Sequence, residues 1–317
     1  MSKRRINKQQ ALRIKKIQTS YQQDTTLETQ DGLVITRFRR HAEIEDASGK
    51  RILCSIRPNL DSLVAGDKVI WQLEGEKQGI ILSLCPRESM LGRFNKSGQC
   101  KPVAANITQI IIVVAVKPEI SLNLLDSYLV MLEHLGLEGC IVLNKVDLPC
   151  ETLQQQLVAC YEPLGYRLLF LSKKDTASYE LLKEVLNNQI SVFVGQSGVG
   201  KSSLISAILP HETNIATAEI STIAELGCHT TSNSRLYHLP SGGALIDSPG
   251  IRELALGHLP PPAITKAYPE LRTLSYDCKF RNCNHMDSPG CAIVSALQAG
   301  KISATRYESY IKLIQPG

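Results

Sequence analysis

Residues 191 to 209 read Ser-Val-Phe-Val-Gly195-Gln-Ser-Gly-Val-Gly-Lys201-Ser202-Ser-Leu-Ile-Ser-Ala-Ile-Leu. The apolar start, 191 to 194, predicts a buried strand, and 203 to 209 predicts a helix. Between them Gly195, Gln196, Ser197, Gly198, Val199, Gly200, Lys201 and Ser202 satisfy the eight-residue phosphate-loop pattern. Each residue type has a reason to be there. Glycines let successive backbone N–H groups face inward to hold phosphate oxygens, and the helix N-terminus adds its partial positive charge. Lys201 would reach the β and γ phosphates, the Ser202 hydroxyl would meet Mg2+, and Ser203 completes the nucleotide-binding set.

The chain around this loop alternates long apolar strands with helical stretches. Residues 107 to 116, 139 to 143 and 166 to 171 read as strands; 124 to 135 and 179 to 186 read as helices. Strands buried on both faces appear as continuous Val and Ile runs while helices supply the crossovers, so a parallel sheet is predicted. Residues 235 to 239 and 244 to 246, joined by Pro-Ser-Gly-Gly, predict an antiparallel hairpin on that sheet's edge. Upstream, five short alternating stretches (33 to 38, 41 to 44, 51 to 56, 68 to 73 and 78 to 84) are separated by Gly-containing turns. They predict a small closed barrel; the five-stranded barrel that binds oligonucleotides fits the count, as do other small barrels. Pro260, Pro261 and Pro262 mark a further boundary, and beyond them the sequence is helical and cysteine-containing, with a last helix from 304 to 313.

Composition limits the function classes. At 317 residues the chain exceeds what one core organises, and 43% apolar against 21% charged residues is the balance of a folded domain protein rather than a disordered one. The longest apolar run, 110 to 116, is far short of the roughly 18 residues that suggest a membrane span. The basic N-terminus has no apolar stretch behind it, so no secretory signal is predicted and the cytoplasm is the expected compartment. Seven of the ten cysteines lack framework spacing, which argues against a disulfide scaffold. The net charge of +5 is concentrated in the first seventeen residues, where Lys3, Arg4, Arg5, Lys8, Arg13, Lys15 and Lys16 meet no acid. This flexible arm is either a plain solvated tail or an attractor of phosphate through counterion release.

A phosphate loop does not choose between ATP and GTP; the base pocket does. Asn144-Lys145-Val146-Asp147 follows the strand 139 to 143, at a carboxyl strand end where open α/β sheets bind ligands. A carboxylate only accepts, so Asp147 can take both N1–H and N2–H of guanine, whereas adenine would leave it unpaired. Asn144 would orient the loop, the Lys145 stem would lie along the ring, and Ser172-Lys173 would contact the base from the far side. Asp247-Ser-Pro-Gly250 suits a carboxylate near Mg2+ and a glycine N–H near the γ-phosphate. Gly227-Cys-His-Thr-Thr231 suits a loop offering Thr231 to the same metal.

The order of these elements is base loop, Ser-Lys, phosphate loop, threonine loop, Asp-x-x-Gly, a rotation of the order in Ras-like enzymes. The chain therefore resembles the circularly permuted GTPases, most closely the RsgA family, along nearly its whole length. The resemblance implies a basic arm (1–25), an OB-fold-like five-stranded β-barrel (26–88), a circularly permuted α/β P-loop GTPase domain (89–257) and a C-terminal helical zinc-binding domain (258–317). It implies GTP hydrolysis on the small ribosomal subunit and its rRNA during late maturation, GTP or GDP with Mg2+ as cofactor, and a monomer. Cys228 departs from the family, which has a basic residue before the histidine, and Ser172-Lys173-Lys174 departs from Ser-Ala-Lys. Ile251 stands where Ras-like enzymes keep a water-orienting glutamine; the resemblance gives that role to His229. The rival reading is an RNA-binding protein whose GTP is a structural ligand with little catalysis.

Cys278, Cys283, His285 and Cys291 give C-x4-C-x-H-x5-C. Three thiolates and an imidazole suit a closed, structural Zn2+ site, although the spacing by itself also allows unligated core cysteines. The family carries the same cluster, which implies zinc. Lys279, Arg281 and Lys301 make this region basic, as an RNA face or as ordinary solvated charge.

Overall fold

The computed structural model describes residues 29–58, 60, 62–75, 78–94, 99–209, 234–247 and 259–315. The N-terminal arm expected over 1–25 lies outside the described residues, as do Cys228, His229, Thr231, Gly250 and Ile251.

Five strands open the chain: β1 (Gln30–Arg37), β2 (His41–Asp46), β3 (Arg51–Ile56), β4 (Lys68–Glu74) and β5 (Gln78–Leu84). They pair in the order β1-β2-β3-β5-β4, and β4 returns to β1 through Gln30↔Trp71 to Leu33↔Lys68, which closes the barrel. All pairings are antiparallel except β3–β5, the pairing pattern of the oligonucleotide-binding barrel. Val34, Ile44, Cys54, Val69, Trp71 and Ile81 fill it. At residue 35 the β1–β2 register shifts, Val34 facing Ile44 and Thr36 facing Glu43. This bulge sends Ile35 out of the barrel and into the core of the next domain.

That next domain is a three-layer α/β/α sandwich. Its sheet runs β10 (Arg167–Leu171), β9 (Glu138–Asn144), β8 (Gln109–Ala115), β11 (Ile190–Val194), β13 (Ala244–Asp247), all parallel, and ends in antiparallel β12 (Arg235–His238). The run Gln-Ile-Ile-Ile-Val-Val-Ala of β8 is buried throughout because alternate residues feed two cores. Ile110, Ile112 and Val114 face the helices α1 (Leu122–Leu135) and α2 (Glu151–Tyr161); Ile111, Val113 and Ala115 face α3 (Thr176–Leu186) and α4 (Lys201–Ile208). Ser121 caps α1 by accepting from the Leu124 N–H, and Gly136 ends it.

Two features differ from the sequence reading. The hairpin β12–β13 is not a free edge, because Arg235 pairs with Thr36 of β1 and the barrel thereby continues the sheet. A separate hairpin, β6 (Met90–Phe94) with β7 (Cys100–Ala105), lies between barrel and sandwich. The proline cluster expected to mark a boundary opens a helix: Pro260 precedes α5 (Pro261–Ala267), where a missing N–H costs nothing. After α5 come α6 (Pro269–Arg272), α7 (Ala292–Gln298) and α8 (Ala304–Ile314). Their core of Ile264, Tyr268, Leu271, Ile293 and Tyr310 includes Val130 from α1, so these helices cover the outer side of α1.

Candidate active site

The parallel strands bring four loops to one edge of the sheet, each beginning at a carboxyl end, after Ala115, Asn144, Leu171 and Val194, and β13 ends at the same edge with Asp247. The connections diverge on either side of β8 and β11, so the cleft between those strands is the switch point at which α/β sheets bind ligands.

The phosphate loop occupies that point. Lys201, at the start of α4, is buried, and its ammonium donates to the carbonyls of Gly195 and Gln196, both at 2.6 Å. Gly200 has φ +101°, and a Cβ there would lie 2.4 Å from Asn144 Nδ2, so only glycine fits. Ser202 is exposed at the helix start and Ser203 half-buried beside it.

The base loop is fastened directly to the phosphate loop. Asn144 is buried, its Nδ2 donates to the Val199 carbonyl at 2.8 Å, and its Oδ1 accepts the Lys145 N–H at 2.9 Å. Lys145 takes φ +64°, which turns the chain sharply out of β9. Its ammonium donates to Gly198 O at 2.7 Å and to Lys117 O at 2.6 Å. The first reaches the phosphate loop, the second the loop after β8. One consequence is that the distance between base pocket and phosphate loop is fixed by two side chains bonded to backbone carbonyls 55 and 53 positions further along the chain.

Asp147 is held from the β10 side. The Ser172 hydroxyl donates to Asp147 Oδ1 at 3.2 Å, and Lys174 Nζ lies 3.6 Å from Oδ2. Lys173 is exposed. Lys174 was not singled out by sequence reasoning; the signal that could have found it is that it, and not Lys173, stands where the family's Ser-Ala-Lys has its lysine. Asp247 ends β13, beside β11, whose Val192 pairs with Ile246. A serine hydroxyl at the head of α4 and this carboxylate are hard oxygen donors, the type Mg2+ takes.

A second site lies beyond α6. Cys278, Cys283, His285 and Cys291 bring their ligand atoms within 4.8 Å of one another. Cys278 Sγ is 3.6 Å from His285 Nδ1 and 4.0 Å from Cys291 Sγ, which in turn is 3.8 Å from that Nδ1. A tetrahedron with metal–sulfur bonds of about 2.3 Å and metal–nitrogen bonds of about 2.0 Å has edges of roughly 3.5 to 3.8 Å, so the donor set fits. Burial lowers the pKa of His285, favouring the neutral imidazole that ligates, and pushes the Cys291 thiol up to about 11, so metal capture must expel its proton. Around the ligands, the Val294 N–H points at Cys291 Sγ at 3.5 Å and the Tyr307 hydroxyl donates to His285 O at 2.8 Å.

Among the described residues no helix is long and apolar enough to cross a membrane.

Comparison with known proteins agrees with this geometry. The profile of the family described as RsgA GTPase matches residues 84–257. "Small ribosomal subunit biogenesis GTPase RsgA 1" of Vibrio vulnificus (strain YJ016) is 47% identical, over 98% of this chain and 91% of its own length. "Small ribosomal subunit biogenesis GTPase RsgA" of Haemophilus influenzae (strain 86-028NP) is 44% identical, over 99% and 96%. Among solved structures, YjeQ from Thermotoga maritima superposes with a TM-score of 0.75 at 32% identity, covering 90% of this chain and 98% of that one. YloQ, described as a circularly permuted GTPase, gives 0.71 at 28%, covering 90% and 94%.

Proposed function

The chain belongs to the RsgA GTPase family, and on that premise we propose that it binds Mg2+ and GTP at the described cleft and hydrolyses GTP on the small ribosomal subunit, in the biogenesis of that subunit. The observation that carries this reading is the direct fastening of base loop to phosphate loop through Asn144 and Lys145. A pocket of fixed span measures a whole nucleotide rather than a phosphate alone.

In this reading Asp147 accepts N1–H and N2–H of guanine, with Ser172 and Lys174 holding the carboxylate in line. Backbone N–H groups of residues 195 to 202 surround the phosphates and Lys201 turns its ammonium from the loop carbonyls to the β and γ oxygens. Ser202 and Asp247 would hold Mg2+, with Thr231 joining them, and the ion would supply positive charge against the phosphate oxygens. Gly250 offers its N–H to the γ-phosphate, and His229 aligns the attacking water. The Cys3His cluster holds one structural zinc ion. Four protein ligands leave no open position for chemistry. Exposed Tyr276 and Phe280, the latter with Lys279 Nζ 5.4 Å from its ring, combine stacking surface with positive charge, and with Arg281 and Lys301 they favour rRNA as what this region meets. The arm (1–25), barrel (26–88), GTPase domain (89–257) and zinc domain (258–317) act as the units of a cytoplasmic monomer.

The test is base choice. Asp147→Asn places a donor where guanine already points two donors, so GTP affinity should fall by about 100-fold or more while ATP affinity stays low. Competition of GTP and ATP against a fluorescent guanine nucleotide reads this; an unchanged GTP affinity overturns the pocket assignment.

A further inference from the structure

The backbone of His285 is left-handed, with φ +59°. A residue with a Cβ is strained there and keeps the conformation only where its surroundings fix it. The stretch Asn284-His285-Met286-Asp287-Ser288 supplies part of that fixing. Asn284 Oδ1 accepts the N–H of Met286 at 3.0 Å, the N–H of Asp287 at 3.3 Å and the Ser288 hydroxyl at 2.8 Å, and Ser288 Oγ accepts the Asn284 N–H at 3.2 Å. These bonds close the turn on either side of His285, but none of them engages its carbonyl. That oxygen is held from another element: the Tyr307 hydroxyl, on α8 and 22 positions along the chain, donates to it at 2.8 Å.

The direction of a carbonyl is set by the ψ of its own residue, so a bond to it constrains the backbone that aims the side chain. Here the imidazole is aimed at the cluster, with Nδ1 3.6 Å from Cys278 Sγ and 3.8 Å from Cys291 Sγ. A return of His285 to the right-handed region would swing the ring away from both sulfurs. Tyr307 is itself placed by packing, its half-buried ring lying against the core of the C-terminal helices, 6.3 Å from the ring of Tyr310. We propose that Tyr307 is a positioning residue for the Cys3His site, its hydroxyl keeping His285 in the left-handed conformation that turns the imidazole onto the thiolates. The inference rests on the reading of this cluster as a zinc site. It also makes α8 a shared support, because Arg306, one residue back and about 100° round the helix, pairs with Asp126 of α1. Adjacent side chains of one helix thus grip the metal loop and the GTPase domain.

The test uses the full chain loaded with zinc and reads the metal rather than GTP turnover. Tyr307→Phe removes the hydroxyl and keeps the ring, so the donor to His285 is lost while the packing remains. Zinc affinity, measured by competition with a chromophoric chelator, should fall about tenfold or more, the effect that outer-shell partners of metal ligands commonly have. With Co2+ in place of Zn2+, the visible bands of a tetrahedral site of three thiolates and one imidazole should change in the same variant, because the imidazole is no longer held in the set. Tyr310→Phe is the control for general loosening. It deletes a hydroxyl of the same helix, one that bonds Thr265 at 2.9 Å, and should leave both readings as in the parent. If Tyr307→Phe keeps the parent's affinity and spectrum, or if Tyr310→Phe lowers the affinity as much, the inference is wrong and the zinc reading stands. If the parent itself gives no tetrahedral cobalt spectrum, the zinc reading fails and this inference with it.

Discussion

The barrel and the C-terminal helices that carry the Cys3His cluster flank the same GTPase domain but are attached to it by opposite means. The barrel is joined through backbone and close packing: β1 continues the central sheet at Thr36↔Arg235, and Ile35 and Ala65 belong to the main core. Gly66 lies so close to β7 that a Cβ would be 2.2 Å from the Ala105 carbonyl, and the Asn106 amide donates to the Gly66 carbonyl at 2.8 Å. Beside it the fully buried Asp67 takes two bonds from Arg87, at 2.7 and 2.8 Å. The C-terminal helices are joined almost wholly by side chains on the outer face of α1. Arg306 of α8, 2% exposed, pairs with Asp126 of α1 at 2.5 Å and with Glu270 of α6 at 2.8 Å, and its guanidinium lies 4.3 Å from the Tyr268 ring centroid. The Tyr161 hydroxyl of α2 donates to the same Asp126. Burial is the largest influence on both charged groups and opposes both. It pushes Asp126 up against the pull of Arg306, while the two carboxylates hold Arg306 charged. A seat built on ladder and shape tolerates changes of side chain but not of backbone space. A seat built on buried charge fails when one partner is removed.

The largest effect expected is at the metal. Chelation, or Cys283→Ser, removes a site of the kind whose apparent binding energy is about 10 kcal/mol or more, and the helices after residue 259 should lose hydrogen-exchange protection. Because those helices cover Val130 and Asp126, protection should also fall along α1, while the barrel keeps its own. Loss of protection confined to residues 278 to 291 would show that the ion does not hold this domain together.

Next comes the buried charge. Arg306→Ala should cost about 3 to 5 kcal/mol, because it strands two carboxylates, whereas replacing Arg306, Asp126 and Glu270 together by apolar residues of similar size should recover most of that loss. Denaturant unfolding of the single and triple variants measures both, and a triple variant as unstable as the single one would assign the loss to packing rather than to unpaired charge. The barrel seat should respond to space instead: Gly66→Ala, at φ +88° and against a backbone carbonyl, should cost about 2 kcal/mol or more. If Gly66→Ala were neutral while Arg87→Met was severe, the barrel too would be held by charge and the contrast between the two seats would collapse.

The same contrast explains what the sequence disclosed. Barrel strands and buried parallel strands announce themselves by local period, and β3 and β5 were legible to the residue. Their parallel pairing was not, since pairing is a relation between distant segments. The hairpin β6–β7 escaped because Gly92 and Pro102 interrupt it and its register shifts at Gly92. Helix α2, Glu-Thr-Leu-Gln-Gln-Gln-Leu-Val-Ala-Cys-Tyr, buries only Leu157 and Tyr161, too narrow a stripe to read. In the site, motif residues were legible because phosphate and guanine chemistry prescribe them at fixed spacing. Lys174 was not, because its partner Asp147 follows another strand. Arg306 is the extreme case, an arginine in an amphipathic helix whose partner Asp126 is 180 positions away.

The central claim, GTP hydrolysis in the service of the small ribosomal subunit, is tested most directly by measuring phosphate release from GTP with the protein alone, with purified small subunits and with purified large subunits. Turnover should be slow for the protein alone, rise by about two orders of magnitude or more on the small subunit as activator-dependent GTPases show, and not rise on the large. Equal rates in all three conditions, or release unaffected by Asp147→Asn, would contradict it.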